Sequence, residues 1–452
     1  MTTGKEWKLI LLFTLPIMAG NLLQQLYQTV DGIIVGNFVS EPAFAAVGAS
    51  QPLAFMFLAL AFGMSVGVGV VISQYYGAGK HDKLPLAIDT SIILLGVCGL
   101  ALTLLGLIFS PFMLRVILGV PDEDGILPLA VTYMRIYSIG LFFQFLYNGI
   151  AAILRGFGDS KATLYFLIVA TVLNTLLDLL FVIVFGWGVA GAAVATVIAQ
   201  IVCVTVSYVY LRKKHPFINS AKHFDSEIAV TTVRLGLPIA IQMAIVSFGN
   251  GAMHRLVNGF NATAPGVIAA YSAGNRIDAF LFVPIMGFQA GLANFAGQNI
   301  GAGNLQRVRR GYFATLVMSL SLTIAMSVAL YVYAAPVVTA FGLTDSALLI
   351  GVEQIKFMTM FFWMFSVHIT LGGVLQGAGD TVFMSASTLT ALAARVSTGY
   401  LAVELGILGY SAAWVTTPVA WFLAMVITYT RYLTGGWKKK AVAGKLAKTV
   451  RD

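Results

Sequence analysis

Long runs of apolar residues, separated by short polar segments, recur along the whole chain. A helix needs about 20 consecutive apolar residues to cross the hydrocarbon core of a bilayer, and these runs reach that length. The pattern therefore predicts an all-α polytopic membrane protein with twelve transmembrane helices. The predicted spans are residues 8–36, 48–75, 87–113, 127–152, 162–184, 188–211, 229–257, 266–296, 311–335, 350–373, 382–403 and 407–432.

The composition supports a membrane protein and excludes a soluble one. Hydrophobic residues make up 59% of the chain and charged residues 10%, whereas soluble domains are about 25% charged. The net charge of +9 comes from basic residues scattered over loops. Because these residues form no single patch with interleaved aromatics, we expect no nucleic-acid partner.

Lysine and arginine are concentrated in alternate loops, and this asymmetry predicts the orientation of the chain. They occur near both termini and in even-numbered loops, for example at Lys80, Arg155 and Arg307, whereas the odd-numbered loops carry almost none. By the positive-inside rule, both termini and the even-numbered loops are expected to be cytoplasmic. We therefore expect a multi-pass protein of the cytoplasmic (inner) membrane.

Three short motifs occur twice, and the repeat predicts the domain organisation. Leu15-Pro16-Ile17 returns at 237–239, Gln74 with Gly77-Ala78-Gly79 returns at 298–303, and the glycine-aspartate string 156–159 returns at 377–380. The period covers six spans, so the halves are expected to be parallel copies related by an axis along the membrane normal. We predict an N-terminal six-helix lobe (1–211), a cytoplasmic linker (212–228), a C-terminal six-helix lobe (229–435) and a basic cytoplasmic tail (436–452).

An acid, Asp31, lies near the end of the first apolar run. A carboxylate near the bilayer centre costs about 2.5–3.5 kcal/mol on insertion scales, so it is expected to face protein or water. Asn21, Gln24 and Gln28 precede it at helical spacing and give this helix one polar face. Asp31 is either a structural cap or pair near the helix end or part of a site that lines a cavity, and the polar face favours the site.

A second acid, Asp178, lies in the fifth run, with Asn174 one turn earlier on the same helical face. The sixth run opens with small residues at 188–193, which allow helices to approach closely, and carries Thr196 about one turn deeper. Two carboxylates, an amide and a hydroxyl would either bind a hard cation through oxygen ligands or hold a proton shared between Asp31 and Asp178. The spacing leaves both alternatives open.

Two strings resemble enzyme motifs, and both are discounted. The string 77–80 lacks the leading glycine and the hydroxyl residue of a phosphate-binding loop, so no ATP site is expected. The string 377–380 matches a short signature of intramembrane aspartyl proteases. The same string recurs at 156–159 in the equivalent loop, where glycine suits a turn. We expect no enzyme activity, no cofactor and no metal beyond sodium at the ion-binding residues.

Taken together, these motifs resemble the multidrug and toxic compound extrusion (MATE) transporters, in their bacterial branch. The resemblance covers essentially the whole chain. It is carried by the segment 30–36 that closes span one, the Gln-x-x-Gly-Ala-Gly ends of spans two and eight, the loop 155–159 and the pair Asn174 and Asp178.

The resemblance implies two six-helix lobes in a V around a central cavity that alternates between the two membrane faces. It implies a secondary antiporter that exports organic cations or drugs as protons or sodium ions enter. It assigns ion binding in the first lobe and a hinge in helix one. The implied ion-binding residues are Asp31, Asn174, Asp178 and Thr196, and the implied hinge is Pro16.

The chain departs from the family pattern at two places. Position 32 is glycine where many relatives have a hydroxyl residue. Span seven has no carboxylate and carries Gln242 and His254 at its polar positions, so the second-lobe cation site of the norfloxacin-exporter subgroup is not expected. His254 aligns with Asp31, and the segment that corresponds to Asp178 contains Arg395. We therefore predict that ion coupling is confined to the first half.

The 31 Phe, 17 Tyr and 16 Met residues would suit an adaptable cavity for flat organic cations. The predicted cavity-lining residues are Gln24, Gln28, Tyr27, Tyr137, Phe142, Met243 and His254. The alternative function is that of a flippase for a lipid-linked precursor in the same wider superfamily. Extra spans or a strongly cationic cavity would favour this alternative, and the sequence indicates neither.

Overall fold

Helices account for nearly all of the structure, a computed structural model that describes residues 1–120, 125–216 and 224–442. Of residues 27–33 it describes the backbone alone. The described residues form fifteen α-helices and contain no β-strand. The helices are α1 (Glu6–Phe38), α2 (Glu41–Gly77), α3 (Leu84–Phe112), α4 (Ile126–Gly156), α5 (Ser160–Asp178), α6 (Gly188–Lys214), α7 (Ser226–Asn258), α8 (Val267–Gly301), α9 (Leu305–Val332), α10 (Ala334–Ala340), α11 (Asp345–Thr359), α12 (Phe362–Ala378), α13 (Thr381–Glu404), α14 (Ala412–Val415) and α15 (Thr417–Thr434).

These helices are consistent with the twelve spans predicted from the apolar runs. In the described part of the chain, ten helical segments are long and apolar enough to span a membrane. An eleventh span is formed by α11 and α12, which meet at 50°, and α13 occupies the predicted run 382–403. The all-α polytopic membrane fold is therefore confirmed. The predicted run 350–373 differs in one respect, because its helix is broken after Thr359.

The chain divides into two compact units. The first-half unit comprises the described residues from Leu15 to Ile241 together with Val442, and the second-half unit comprises Met1 to Thr14 and Gln242 to Ala441. Helices α1 and α7 each pass from one unit to the other within their length. Both changes occur within a few residues of an internal proline, at position 16 in α1 and position 238 in α7.

The core of the first-half unit lies where α2, α3 and α4 pack together. Val68, Ile88 and Ile153 are fully buried there. Because lipid tails are as apolar as these side chains, close van der Waals packing stabilises the helix contacts more than the hydrophobic effect does. A Cβ atom on Gly156 would lie 2.8 Å from the side chain of Ile72. Glycine at this position therefore lets α4 lie close against α2.

The second-half unit repeats this packing with different residues. Its largest cluster surrounds Trp414, which is 1% exposed, and includes Tyr271 and Phe362. A Cβ atom on Gly377 would lie 2.4 Å from the carbonyl oxygen of Ala293. Gly377 thus brings α12 against α8 as its counterpart in the first half brings α4 against α2.

The two glycine-aspartate strings lie at turns between helices, as the turn interpretation expects. Gly158 and Gly379 have φ values of 93° and 85°, a conformation that glycine adopts without strain. Asp159 accepts a hydrogen bond from the Ala162 N–H at 3.1 Å and caps α5. Its carboxylate also lies 2.6 Å from the Lys214 ammonium, at the end of α6.

The equivalent carboxylate of the second half makes an equivalent ion pair. The Arg431 Nε atom donates to Asp380 Oδ2 at 2.7 Å, which joins the start of α13 to the end of α15. Asp380 is 3% exposed, so this ion pair is more buried than the one in the first half. In each half, therefore, one aspartate joins the fifth span to the sixth, at the end that is predicted to face the cytoplasm.

Candidate functional site

A group of buried polar side chains lies between α5 and α6 in the first-half unit. Asn174 and Asp178 are each 1% exposed, and Thr196 is 8% exposed. The Asn174 Nδ2 atom donates to Thr196 Oγ1 at 3.4 Å. The Thr196 hydroxyl donates its own hydrogen to the Ala192 carbonyl at 3.1 Å, so its oxygen can accept from the amide. Asp178 lies one turn beyond Asn174 on the same face of α5.

The backbone around this group brings the two helices close together. Immediately after Asp178, α5 widens into a π-helical segment, Leu179–Val184, a geometry that is common at functional sites. A Cβ atom on Gly191 would lie 3.1 Å from the backbone carbonyl of Phe181. The small residues that open α6 therefore allow it to lie directly against the π-helical segment, which places Thr196 beside Asn174.

The chemistry of this group matches that of the predicted ion site. The Asn174 Oδ1 atom is buried and has no hydrogen-bond partner among the described residues. A buried carboxylate is costly unless a proton or a cation compensates its charge. Carboxylate, amide and hydroxyl oxygens are the ligands that hard cations prefer. No group of three histidine, cysteine or acidic side chains lies together in the described part of the chain, and the oxygen set here suits a proton or an alkali ion.

The remaining member of the predicted ion site lies outside the described side chains. Asp31 belongs to α1 by its backbone, but its side chain and those of Gln28 and Tyr27 are not described. The participation of Asp31 in the site therefore stays a prediction. Gln24 is half-buried on the same helix, and Pro16 lies inside α1 near its change of unit.

The other predicted cavity-lining residues are divided between the two units. In the first-half unit, Tyr137 stacks on Tyr133 with ring centroids 5.9 Å apart, and Phe142 meets Phe143 edge to face at 5.3 Å. In the second-half unit, Met243 and His254 lie on α7 and are half-buried. The predicted contact of these residues with a substrate stays a prediction.

The second-half unit contains a polar cluster that the sequence did not predict. Arg395 on α13 is its centre. Its Nη1 atom donates to Asn250 Oδ1 at 3.1 Å, and its Nη2 atom donates to Tyr271 Oη at 3.4 Å and to the Ala413 carbonyl at 3.2 Å. Four ion pairs occur among the described residues, and none includes Arg395. The oxygens that accept hydrogen bonds from its guanidinium group are therefore neutral.

His254 lies at the edge of this cluster and contacts it through α8. Its Nε2 atom is 3.3 Å from Asn275 Nδ2, and its ring meets Tyr271 edge to face with centroids 4.8 Å apart. Asp278, one turn beyond Asn275, is 5% exposed. His254 is thus one member of a network on α7, α8 and α13.

A signal for this cluster is present in the repeat. Arg395 follows Asn174 by 221 residues, the same interval that separates Gly156 from Gly377. Alignment on the glycine-aspartate strings therefore places an arginine where the first half has the amide of its predicted ion site. This correspondence with Asn174 is more exact than the predicted one, which relates Arg395 only to the general segment of Asp178.

Comparison with known proteins agrees with this architecture. The protein-family model MatE matches residues 16–180 and 238–401. The chain is 29% identical over 448 residues to "Probable multidrug resistance protein YoeA" of Bacillus subtilis (strain 168), with 96% of this chain and 95% of that protein covered. It is 30% identical over 380 residues to "Probable multidrug resistance protein YpnP" of the same organism, with 84% of each chain covered.

The fold also matches a solved structure, that of a MOP superfamily transporter from Pyrococcus furiosus Vc1. The TM-score is 0.86 at 23% sequence identity, over 96% of this chain and 97% of the other. The family model matches both halves of the chain and spans well over half of its length. The chain therefore belongs to the MatE family of multidrug efflux transporters.

Proposed function

We propose that the protein is a secondary antiporter that exports small organic cations or drugs across the cytoplasmic membrane. Export is coupled to the entry of protons or sodium ions through the acidic site of the first-half unit. The carrying observation is the buried contact between Asn174 and Thr196, with Asp178 one turn away. The proposed ion-binding residues are Asp31, Asn174, Asp178 and Thr196.

The coupling follows from the cost of a buried charge. When the site is empty, a carboxylate in an apolar surrounding is unfavourable unless water or a neighbour solvates it, and loading a proton or a cation removes that cost. The empty and the loaded states of the site thus favour different arrangements of the surrounding helices. Pro16 removes one backbone hydrogen bond from α1 and is the proposed hinge. Its position near the change of unit in α1 supports this role.

The proposed membrane arrangement follows from the basic residues. Both termini and the even-numbered loops lie in the cytoplasm, by the positive-inside rule. Residues 1–211 and 229–435 form the two six-helix lobes, joined by the linker 212–228 and followed by the basic tail 436–452. The protein acts without a cofactor, a nucleic-acid partner or enzymatic chemistry. Tyr27, Gln28, Tyr137 and Phe142 line the substrate path in this proposal, together with Gln24, Met243 and His254.

The experiment that tests this proposal uses purified protein in liposomes with a fluorescent organic cation. A proton gradient and a sodium gradient are imposed separately, in the absence of ATP. We expect dye movement that follows one of the two gradients and stops when that gradient is collapsed. Dye movement that persists without any gradient but needs ATP would contradict the proposal.

A flippase for a lipid-linked precursor is the second candidate, and Arg395 is the observation that favours it. Its guanidinium group is held by neutral oxygens and lies more than an ion-pair distance from every described acid. A fixed positive charge attracts the phosphates of such a substrate and repels an organic cation. Transport of a phosphate-bearing lipid, with no transport of the cationic dye under any gradient, would favour this candidate.

A further inference from the structure

The third and fourth spans pack differently in the two halves. The two Gly-Ala-Gly strings are 224 residues apart, and so are Thr103 on α3 and Ser327 on α9, which therefore correspond. Each of these two residues is 8% exposed. Counting from the glycine-aspartate strings, Ser138 on α4 corresponds to Thr359, 221 residues later. The contact between the third and fourth spans can therefore be compared at the same level in each half.

In the first half this contact is closed. The Thr103 hydroxyl donates to the Ser138 carbonyl at 2.8 Å, across α3 and α4. A Cβ atom on Gly106 would lie 2.1 Å from Ser138 Oγ, so the two helices touch at this level. Helix α4 is continuous through the contact, from Ile126 to Gly156.

In the second half the contact is open. The helix that corresponds to α4 ends as α11 at Thr359 and resumes as α12 at Phe362, with a bend of 50°. A groove of about 270 Å³ lies between this break and α9. We call it the α9 groove, and its lining residues are Thr323, Ile324, Ser327, Val328, Tyr331, Thr359, Met360 and Trp363.

The floor of the α9 groove carries hydroxyl groups with unused hydrogen-bonding capacity. Thr323 is 2% exposed and Ser327 is 8% exposed, and neither hydroxyl has a hydrogen-bond partner among the described residues. Elsewhere on α9, the Thr315 hydroxyl donates to the Gly311 carbonyl of its own helix at 2.7 Å. A bilayer core supplies no water to satisfy such groups, so an unpartnered hydroxyl there is costly.

The walls of the groove are apolar and exposed. Val328 is 58% exposed, Met360 52% and Trp363 41%. They belong to helices that span the membrane, so a molecule that reaches the groove comes from the bilayer. The groove thus combines an apolar entrance with a polar floor, which is the pattern of a site for an amphiphile.

The chemistry of the floor selects the polar group of the ligand. Each hydroxyl can donate one hydrogen bond and accept up to two, and a ligand hydroxyl has the same capacities. No charged side chain lines the groove; the nearby Lys356 ammonium lies over the Tyr331 ring, 5.4 Å from its centroid. A charged head group would lose its hydration without gaining an ion pair at the floor.

The depth of the floor also fits a lipid without a large head group. At about 1.5 Å per residue, Ser327 lies about 8 Å and Thr323 about 14 Å from the Val332 end of α9. The polar layer on each side of a bilayer core is about 5–8 Å thick. Measured from the Val332 end, both hydroxyl groups therefore lie at or below the depth that a head group occupies. We infer that the α9 groove binds a membrane lipid with a free hydroxyl group, whose chains lie along the apolar walls. The hydroxyl oxygens of Ser327 and Thr323 are buried, and these side chains rotate toward the groove to hydrogen-bond to the lipid hydroxyl.

The test uses the full-length protein in phosphatidylcholine vesicles and two photoactivatable probes with the same labelled acyl chain. One probe is a diacylglycerol, which has a free hydroxyl group, and the other is a phosphatidylcholine, which has none. Cross-linked peptides are identified by mass spectrometry. We expect saturable labelling of segments 320–333 and 356–366 by the diacylglycerol, with competition by unlabelled diacylglycerol and several-fold less labelling by the phosphatidylcholine.

Variants then test the role of the hydroxyl groups. Loss of one hydrogen bond of ordinary strength should reduce labelling about fivefold in Ser327→Ala and in Thr323→Val. Thr430→Val is the matched control, because the exposed Thr430 hydroxyl bonds to the Val426 carbonyl of its own helix at 2.8 Å. Labelling in this control should not change.

Three results would overturn the inference. They are equal labelling by both probes, equal labelling of the closed first-half segment 99–110, and undiminished labelling in both groove variants. If one variant fails to fold, the other variant and the competition measured on the unaltered chain still decide the question. The readout is binding and is independent of the proposed transport function.

Discussion

The two halves of the protein share their helices and their glycine-aspartate turns but differ in charge at corresponding positions. In the first half, the amide of Asn174 contacts Thr196 beside the carboxyl group of Asp178. In the second half, the position of Asn174 holds Arg395, whose guanidinium group donates to neutral oxygens. The same helix position therefore carries a neutral amide in one half and a positive charge in the other. This contrast favours ion coupling in the first half, because a fixed positive charge disfavours binding of a coupling cation.

The largest expected effect on export comes from replacing the acids of the first half, compared with replacing His254 in the second. Asp178→Asn and Asp31→Asn should each reduce gradient-driven dye export to the level of protein-free liposomes, because an amide neither takes up a proton nor supplies a negative charge to a cation. His254→Ala should leave much of the export. The measurement is dye transport by the three variants at equal reconstituted amounts. Near-normal export by both acid variants, or loss of export in His254→Ala alone, would show that coupling is not confined to the first half.

A smaller effect is expected from the hydroxyl group of Thr196 in the proposed ion site. Thr196→Val removes the oxygen that accepts from Asn174, and the loss of one hydrogen bond corresponds to about a fivefold decrease in transport rate or ion affinity. Thr205→Val is the control on the same helix, since the exposed Thr205 hydroxyl bonds to the Ile201 carbonyl at 2.8 Å. Initial rates at several ion concentrations check this. Equal rates in the two variants would remove Thr196 from the site.

A further prediction concerns the independence of the two halves. Arg395→Gln removes the positive charge of the second-half cluster and leaves the acidic site unchanged. If the clusters act independently, the effects of Arg395→Gln and Thr196→Val on transport should add to within about 0.5 kcal/mol, or about twofold in rate. The measurement is a double-mutant cycle on initial rates under the same ion gradient. A larger coupling energy would mean that both halves belong to one ion-coupled network.

The smallest expected effect is the pH-dependent contribution of Asp159, in the first-half turn, to stability. Burial disfavours the charged form of Asp159, but hydrogen bonds from Lys214, the Ala162 N–H and Tyr210 outweigh it and hold the pKa of Asp159 below its ordinary value of 3.8. Its contribution to stability is therefore complete above pH 3.8 and is lost as the pH falls through the lowered pKa. Because Lys214 is largely exposed, we expect Asp159→Asn to cost about 0.5–1 kcal/mol at neutral pH.

Thermal unfolding of detergent-purified protein at neutral and acidic pH measures this contribution. The difference in Tm between the unaltered chain and Asp159→Asn should shrink at acidic pH, because the carboxyl group then becomes neutral in both states. A difference that stays constant over this range would mean that Asp159 acts through its cap geometry and not through its charge.

The sequence determined the fold class and the main features of the first-half site. Spans are set by the length of apolar runs, because a bilayer requires each crossing segment to satisfy its own backbone hydrogen bonds. Helical spacing put Asn174 and Asp178 on one face, and the small residues at the start of α6 indicated a close helix contact. Both inferences use local periodicity, which needs no knowledge of which helix lies opposite.

The tertiary structure decided the features that depend on partners distant in sequence. The apolar run 350–373 carries no proline that marks the break after Thr359, and no spacing rule brings Arg395 on α13 to Asn250 on α7 or Tyr271 on α8. The α9 groove likewise exists because two helices that touch in the first half separate in the second. A helix encodes its own faces in its sequence, whereas the side chains that meet those faces are selected by packing among helices.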